Sequence, residues 1–84
     1  MEEERVGRVV KYFARPQVAA VNLEKELGVG DTIHIKGHTT DFEQTVESMQ
    51  IENQPVEKAS PGDAVGIKVR ERVRPNDIVY RIIE

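Results

Sequence analysis

The chain has 84 residues, of which 38% are hydrophobic and 32% charged, and its 12 cations and 15 carboxylates leave a formal charge of −3. A second hydrophobic core would need roughly another 50 residues, so we expect one domain over residues 1–84, with an ordered core of about 5–83 and disorder at residues 1–4. The charge balance excludes a bulk polycation. The absence of cysteine excludes disulfides, thiol nucleophiles and thiolate metal sites.

The amino-terminal run Met1–Arg5 is acidic and lacks the apolar stretch of a secretory signal. No stretch approaches the roughly 18 apolar residues of a membrane-spanning helix. The sequence therefore predicts a cytoplasmic protein without a membrane partner.

Period-two alternation and many β-branched residues predict an all-β fold, either a barrel or a sandwich. The first strand runs from about Arg5 to Phe13. A turn around Pro16 leads to a second strand at Val18–Leu23, because proline cannot donate to a sheet ladder. The third strand, Thr32–Lys36, places its two isoleucines on one face and its histidine on the other.

A longer strand follows at Asp41–Ile51, and its broken alternation predicts a bulge or bend near Ser48. The fifth strand covers Ala64 to about Arg70, and the sixth covers Ile78–Ile83. The alternative to a pure strand pattern is a single helical turn within Asn22–Leu27.

Three of the apolar runs are each preceded by Asp, and a Gly or Asn stands before that Asp. The pairs are Gly30-Asp31, Gly62-Asp63 and Asn76-Asp77. Gly and Asn tolerate a positive φ, and an Asp side chain readily bonds the backbone of a turn. We therefore interpret the three carboxylates as turn residues and not as catalysts.

Enzyme signatures are missing from the sequence. Its glycines match neither the phosphate-binding loop nor the dinucleotide fingerprint, and its serines lack the Gly-flanked elbow of a nucleophile. We expect a protein that is not an enzyme, uses no cofactor and binds no nucleoside triphosphate. His34 and His38, with Asp41, are the sharpest metal candidates, but two imidazoles without an ordered third ligand rarely hold a metal. The favoured interpretation is two solvent-facing rings at a strand end, with no metal.

Charge is unevenly distributed along the chain. Residues 37–63 hold one cation against six carboxylates, whereas residues 64–84 hold five cations against three carboxylates. Cations at every second residue of an extended chain project to one side, and a guanidinium group suits phosphate. The predicted RNA-binding residues are Lys68, Arg70, Arg72 and Arg74, with Arg8 extending the patch. The alternative is that these charges serve solubility and discourage edge pairing.

Four segments carry a family resemblance, namely Val6–Val9, Leu27–Gly37, Val46–Ile51 and Ala59–Ile67. In these the chain resembles the second, β-barrel domain of translational GTPases such as elongation factor Tu and initiation factor 2. It is also similar to the small carboxyl-terminal barrel of the collagenase-like peptidase family, including an ending like Arg74–Ile78. The resemblance implies a closed six-stranded antiparallel barrel. In the translational factors that domain contacts the acceptor end of aminoacyl-tRNA and the ribosome.

The leading functional hypothesis is a free-standing, non-catalytic, translation-factor-like barrel that binds RNA or a translation-related ribonucleoprotein. Its partners would be tRNA, rRNA or ribosomal components. The alternative is a protein-interaction or scaffold module without nucleic-acid binding, which would use the acidic strand around Glu43 and Glu47 or the apolar end of the barrel.

Overall fold

A computed structural model describes residues 2–83, which form ten β-strands and, within that range, no helix. The strands are β1 (Glu2–Phe13), β2 (Val18–Leu23), β3 (Leu27–Gly28), β4 (Thr32–Lys36), β5 (Asp41–Thr45), β6 (Met49–Ile51), β7 (Gln54–Val56), β8 (Lys58–Ala59), β9 (Ala64–Lys68) and β10 (Ile78–Ile83). The all-β prediction is confirmed, and the alternative helical turn within Asn22–Leu27 is wrong. The described residues accordingly contain no helix that could cross a membrane.

All strand pairs are antiparallel. Eight strands form one sheet in the order β5-β4-β10-β1-β2-β9-β6-β7, while β3 and β8 pair separately. The first and last strands of the chain are neighbours in the sheet, with Glu2 opposite Ile83. The predicted disorder of residues 2–4 is therefore wrong, because these residues extend β1. Met1 lies outside the described residues.

The long strand β1 serves two partners. Its pairing shifts between Arg5 and Gly7 against β10, and between Val9 and Lys11 against β2. Such irregularities increase the twist and bend of a strand. The first half of β1 pairs mainly with β10, and the second half pairs with β2.

The predicted closed six-stranded barrel is not found. The strands at the two ends of the sheet, β5 and β7, do not pair with each other within residues 2–83. The predicted strand Asp41–Ile51 is interrupted at residues 46–48, close to the predicted bend at Ser48. The short strands β3, β7 and β8 were not predicted.

The core is aliphatic. Side chains from β1, β4 and β9 meet there with 0–2% of their surface exposed: Val6, Val9, Ile33, Ile35, Val65 and Ile67. Burial of each such side chain contributes about 1.5–3 kcal/mol to folding. The two isoleucines of Thr32–Lys36 share one face, as predicted, and that face lies in the core.

Three type II turns of the same design precede β4, β9 and β10. In each, the amide of an Asp donates to the carbonyl three residues earlier, and its carboxylate accepts from that residue's amide. The carboxylate distances are 2.9 Å for Asp31 to Gly28, 2.8 Å for Asp63 to Ser60 and 2.9 Å for Asp77 to Arg74. The residue before each Asp has φ of 99°, 92° and 78° at Gly30, Gly62 and Asn76, which is the position where a type II turn requires φ above zero. The prediction of turn carboxylates is confirmed.

Candidate functional site

The predicted row of RNA-binding residues does not lie on one extended strand. The row consists of Lys68, Arg70, Arg72 and Arg74. Strand β9 ends at Lys68, two residues before the predicted end at Arg70. The Arg70 guanidinium turns toward β5 and donates to the carbonyl of Glu43 at 2.6 Å. Beyond it, the Arg74 Nε donates to the hydroxyl of Thr39 at 3.0 Å.

The other predicted cations also lie beside groups of the same chain. The Arg8 guanidinium donates to the side-chain oxygen of Asn76 at 2.8 Å. The Arg72 guanidinium lies over the ring of Tyr12, 5.9 Å from its centroid. Lys68 is exposed at the end of β9. The four arginines thus have intramolecular partners that account for their positions, and phosphate contact by the five residues stays a prediction.

Gln44 connects the open edge of the sheet to the segment after β9. Its side-chain amide donates to the carbonyl of Lys68 at 2.8 Å, and its side-chain carbonyl accepts from the backbone amide of Arg70 at 2.9 Å. A carboxamide offers the same donor and acceptor as a peptide group. Gln44 therefore supplies two hydrogen bonds between β5 and residues 68–70. They lie on the edge of β5 that pairs with no strand within residues 2–83.

Replacing Gln44 with glutamate is expected to lower the free energy of unfolding by about 1–2 kcal/mol, because a carboxylate cannot donate to the Lys68 carbonyl and repels it. Urea denaturation at pH 7 measures the change. Gln54→Glu, an exposed substitution in β7 with the same change of charge, is the control and is expected to change stability by less than about 0.5 kcal/mol. Equal losses in the two variants would contradict the role given to Gln44.

His34 is buried between two carboxylates. Only 9% of the residue is exposed. Its Nδ1 lies 2.9 Å from Glu3 Oε2 on β1, and its Nε2 lies 2.5 Å from Asp41 Oδ1 on β5. The prediction of a solvent-facing ring is therefore wrong for His34, because side chains from two other strands cover it. His38 is exposed in the turn after β4, as predicted.

The imidazolium form of His34 suits this position, because both ring nitrogens face carboxylate acceptors and both must donate. Burial lowers the pKa of His34, but the hydrogen bonds to Asp41 and Glu3 and the charges of both carboxylates outweigh it, so the pKa lies above 6.5. The same hydrogen bond lowers the pKa of Asp41 below 3.8. The two carboxylates lie on opposite sides of the ring, and nowhere in residues 2–83 do three His, Asp or Glu side chains converge on a point where a metal could bind.

An apolar groove crosses the outer face of β2, β9 and β6. We call it the Phe13 groove. Its apolar lining consists of Phe13, Pro16, Val18, Ala20, Ala64, Val65 and Gly66, and its volume is about 390 Å³. Gln50, Glu52 and Asn53 lie at the β6 end. Outward positions of a sheet are usually polar, so this composition marks the groove as a candidate binding site.

The strand register explains the shape of the Phe13 groove. Ala20 pairs with Gly66, and Gly66 pairs with Gln50, so these two small residues lie side by side in the floor. Val18 pairs with Phe13 on one side and with Lys68 on the other. The groove was missed from the sequence, although small or apolar residues at alternate positions of Val18–Ala20 and Ala64–Gly66 were a visible signal.

Comparison with known proteins identifies peptidase-type relatives. No protein-family model matches the chain. It is 44% identical over 80 residues to an uncharacterized protease of Methanocaldococcus jannaschii. The matched residues are 94% of this chain and 20% of that protein. It is 47% identical over 78 residues to a collagenase of Porphyromonas gingivalis. Here the matched residues are 90% of this chain and 22% of that protein. The chain therefore spans about a fifth of the length of these curated relatives.

Solved structures show the same fold. The crystal structure of the carboxyl-terminal domain of a U32 peptidase of Geobacillus thermoleovorans superimposes with a TM-score of 0.88 at 23% identity, over 95% of this chain and 93% of that domain. Its selenomethionine variant gives a TM-score of 0.86 at 24% identity, over 90% and 96% of the two chains. At this level of identity the similarity concerns the fold alone.

These relatives correct the functional prediction. The translation-factor-like RNA-binding function is wrong, because the curated relatives are named as a protease and a collagenase. Nothing in the comparisons supports the resemblance to translational GTPases. The resemblance to the carboxyl-terminal barrel of the collagenase-like peptidases agrees with them. The cytoplasmic location stays a prediction.

Proposed function

We propose that this chain is a non-catalytic, polypeptide-binding domain of a U32-peptidase- or collagenase-type protein. The observation that carries the proposal is the extent of the similarity, which covers nine-tenths or more of the chain but only about a fifth of the proteins named protease and collagenase. A segment of that share can serve a peptidase by holding its substrate while the bond-breaking groups lie elsewhere.

The surface of the domain supports a binding role. The Phe13 groove presents an apolar floor and an aromatic side chain, Phe13, that is 42% exposed. Apolar and aromatic linings with a few polar groups at the rim are typical of binding sites. A polypeptide offers matching apolar side chains, and a protein named collagenase acts on a polypeptide.

The proposal predicts binding without cleavage. The 84-residue chain, immobilised on a biosensor, is expected to retain gelatin and casein but not dextran, with a Kd of about 0.1–1 mM per site, which corresponds to roughly 4–5.5 kcal/mol. Incubation of the same substrates with the chain in solution is expected to leave them intact on a gel. Fragments that accumulate in proportion to the chain would contradict the non-catalytic role, and absence of retention would contradict polypeptide binding.

A further inference from the structure

We infer that the Phe13 groove binds an acidic segment of polypeptide, with one apolar side chain seated on the groove floor and carboxylates beside it at the Phe13 end. The inference rests on the proposed function and adds the site and the chemistry of the segment.

The floor is shaped to receive a side chain. Gly66 and Ala20 lie between larger neighbours, and a Cβ placed on Gly66 would lie 3.1 Å from Cγ1 of Val18. Glycine at this position therefore keeps the floor open, since any larger residue would press on Val18. An apolar side chain entering from a partner would cover Val18 and part of Phe13, and removing apolar surface from water stabilises the complex by about 25 cal/mol per Å².

Three cations lie beside the Phe13 end without lining the groove, and one carboxylate, Glu47, shares an adjoining depression with Lys68. The Lys11 Nζ lies 5.1 Å from the centroid of the Phe13 ring, Lys68 is paired with Val18 in the sheet, and Arg15 lies in the turn beside Pro16. Within residues 2–83 none of these three cations forms an ion pair. The one carboxylate of the lining, Glu52, lies at the opposite end.

This arrangement gives the bound segment a direction. Carboxylates of the segment would lie near the three cations, and the end of the segment near Glu52 would be neutral or basic. Complementary charge raises the association rate and selects against basic segments, while the apolar side chain supplies the contact area. An acidic partner with an apolar anchor therefore fits the groove better than a basic or wholly polar one.

Three labelled peptides test the inference by fluorescence polarisation at low salt. The first carries one leucine followed by two aspartates, the second has lysines in place of the aspartates, and the third has serine in place of the leucine. The first is expected to bind at least tenfold more tightly than either of the others. Equal binding of the three peptides would overturn the inference.

Two substitutions place the site. Phe13→Ser and Lys68→Glu are each expected to weaken binding of the first peptide at least fivefold. The matched controls are Val29→Ser, at an apolar residue 40% exposed outside the groove, and Lys58→Glu in β8, and both are expected to bind as the parent chain does. Circular dichroism and thermal unfolding check that each variant is folded, and neither Phe13 nor Lys68 has its side chain in the core.

The outcomes separate this inference from the proposed function. Retention of gelatin and casein that is unchanged by Phe13→Ser would leave polypeptide binding in place and overturn the groove as its site. Equal loss of gelatin, casein and acidic-peptide binding in Phe13→Ser supports both. Binding of the first peptide by the chain without any retention of gelatin or casein would support the groove chemistry and overturn the proposed function.

Discussion

Replacing Gly37 with alanine is expected to lower the free energy of unfolding by about 3 kcal/mol, a cost at the upper end of that for overpacking a well-filled site. A Cβ on Gly37 would overlap Oδ1 and Cγ of Asp77. Asp77 is only 4% exposed, and its carboxylate holds the amide of Arg74 in the turn before β10. The carboxylate therefore cannot move aside without losing that bond in a buried setting, which is a second source of the loss.

Gly28→Ala is the control for this prediction. A Cβ on Gly28 would lie 3.5 Å from the carbonyl oxygen of Glu57, which is an ordinary contact, and neither glycine has a positive φ. The comparison therefore separates the contact with Asp77 from the general effect of replacing glycine with alanine. That general effect stabilises the folded chain by about 0.5–1 kcal/mol. Urea denaturation of both variants measures the difference, and equal stabilities would contradict the argument.

The strands that could be predicted are those whose signal is local. Val18–Leu23, Thr32–Lys36 and Ile78–Ile83 have the predicted bounds, because each has the alternation or the β-branched residues of a strand and follows turn residues. The three Asp turns could also be predicted, since their chemistry involves four consecutive residues. The short strands β3 and β8 could not, because each exists only through its pairing with the other, about 30 residues away.

The candidate sites depended on contacts that no local pattern reveals. The sequence predicted that His34 lies on the face of β4 opposite to the two isoleucines. Its burial on that face comes from Glu3 and Asp41, which lie on two other strands. The row of four cations assumed an extended chain through Arg74, whereas β9 ends at Lys68 and Gln44 binds the backbone of the next residues. The Phe13 groove depends on the register that pairs Ala20 with Gly66, and register is a tertiary property.

The free energy of unfolding is expected to fall as the pH rises above neutrality. The reason is that only the protonated His34 ring donates hydrogen bonds to both Glu3 and Asp41. Its pKa in the folded chain lies above the ordinary value of 6.5. The contribution of the imidazolium is therefore complete below pH 6.5 and is lost as the pH rises through the folded pKa. Asp41 has the opposite sign. Its pKa is lowered from 3.8, so its contribution is present above that value and is lost as the pH falls through the folded pKa.

His34→Gln and the exposed His38→Gln test this dependence through the free energy of unfolding, measured in urea from pH 5 to pH 9. At pH 5.5, loss of the His34 ring is expected to cost about 1.5 kcal/mol, the lower end for hydrogen bonds to charged groups, because Asp41 is largely exposed. The difference between the parent chain and His34→Gln should narrow as the pH rises through the folded pKa of His34, since the neutral ring can donate to only one of the two carboxylates. His38→Gln should follow the parent chain at every pH. A parent chain that gains stability between pH 6 and pH 8 while His34→Gln does not would contradict the imidazolium assigned between β1 and β5.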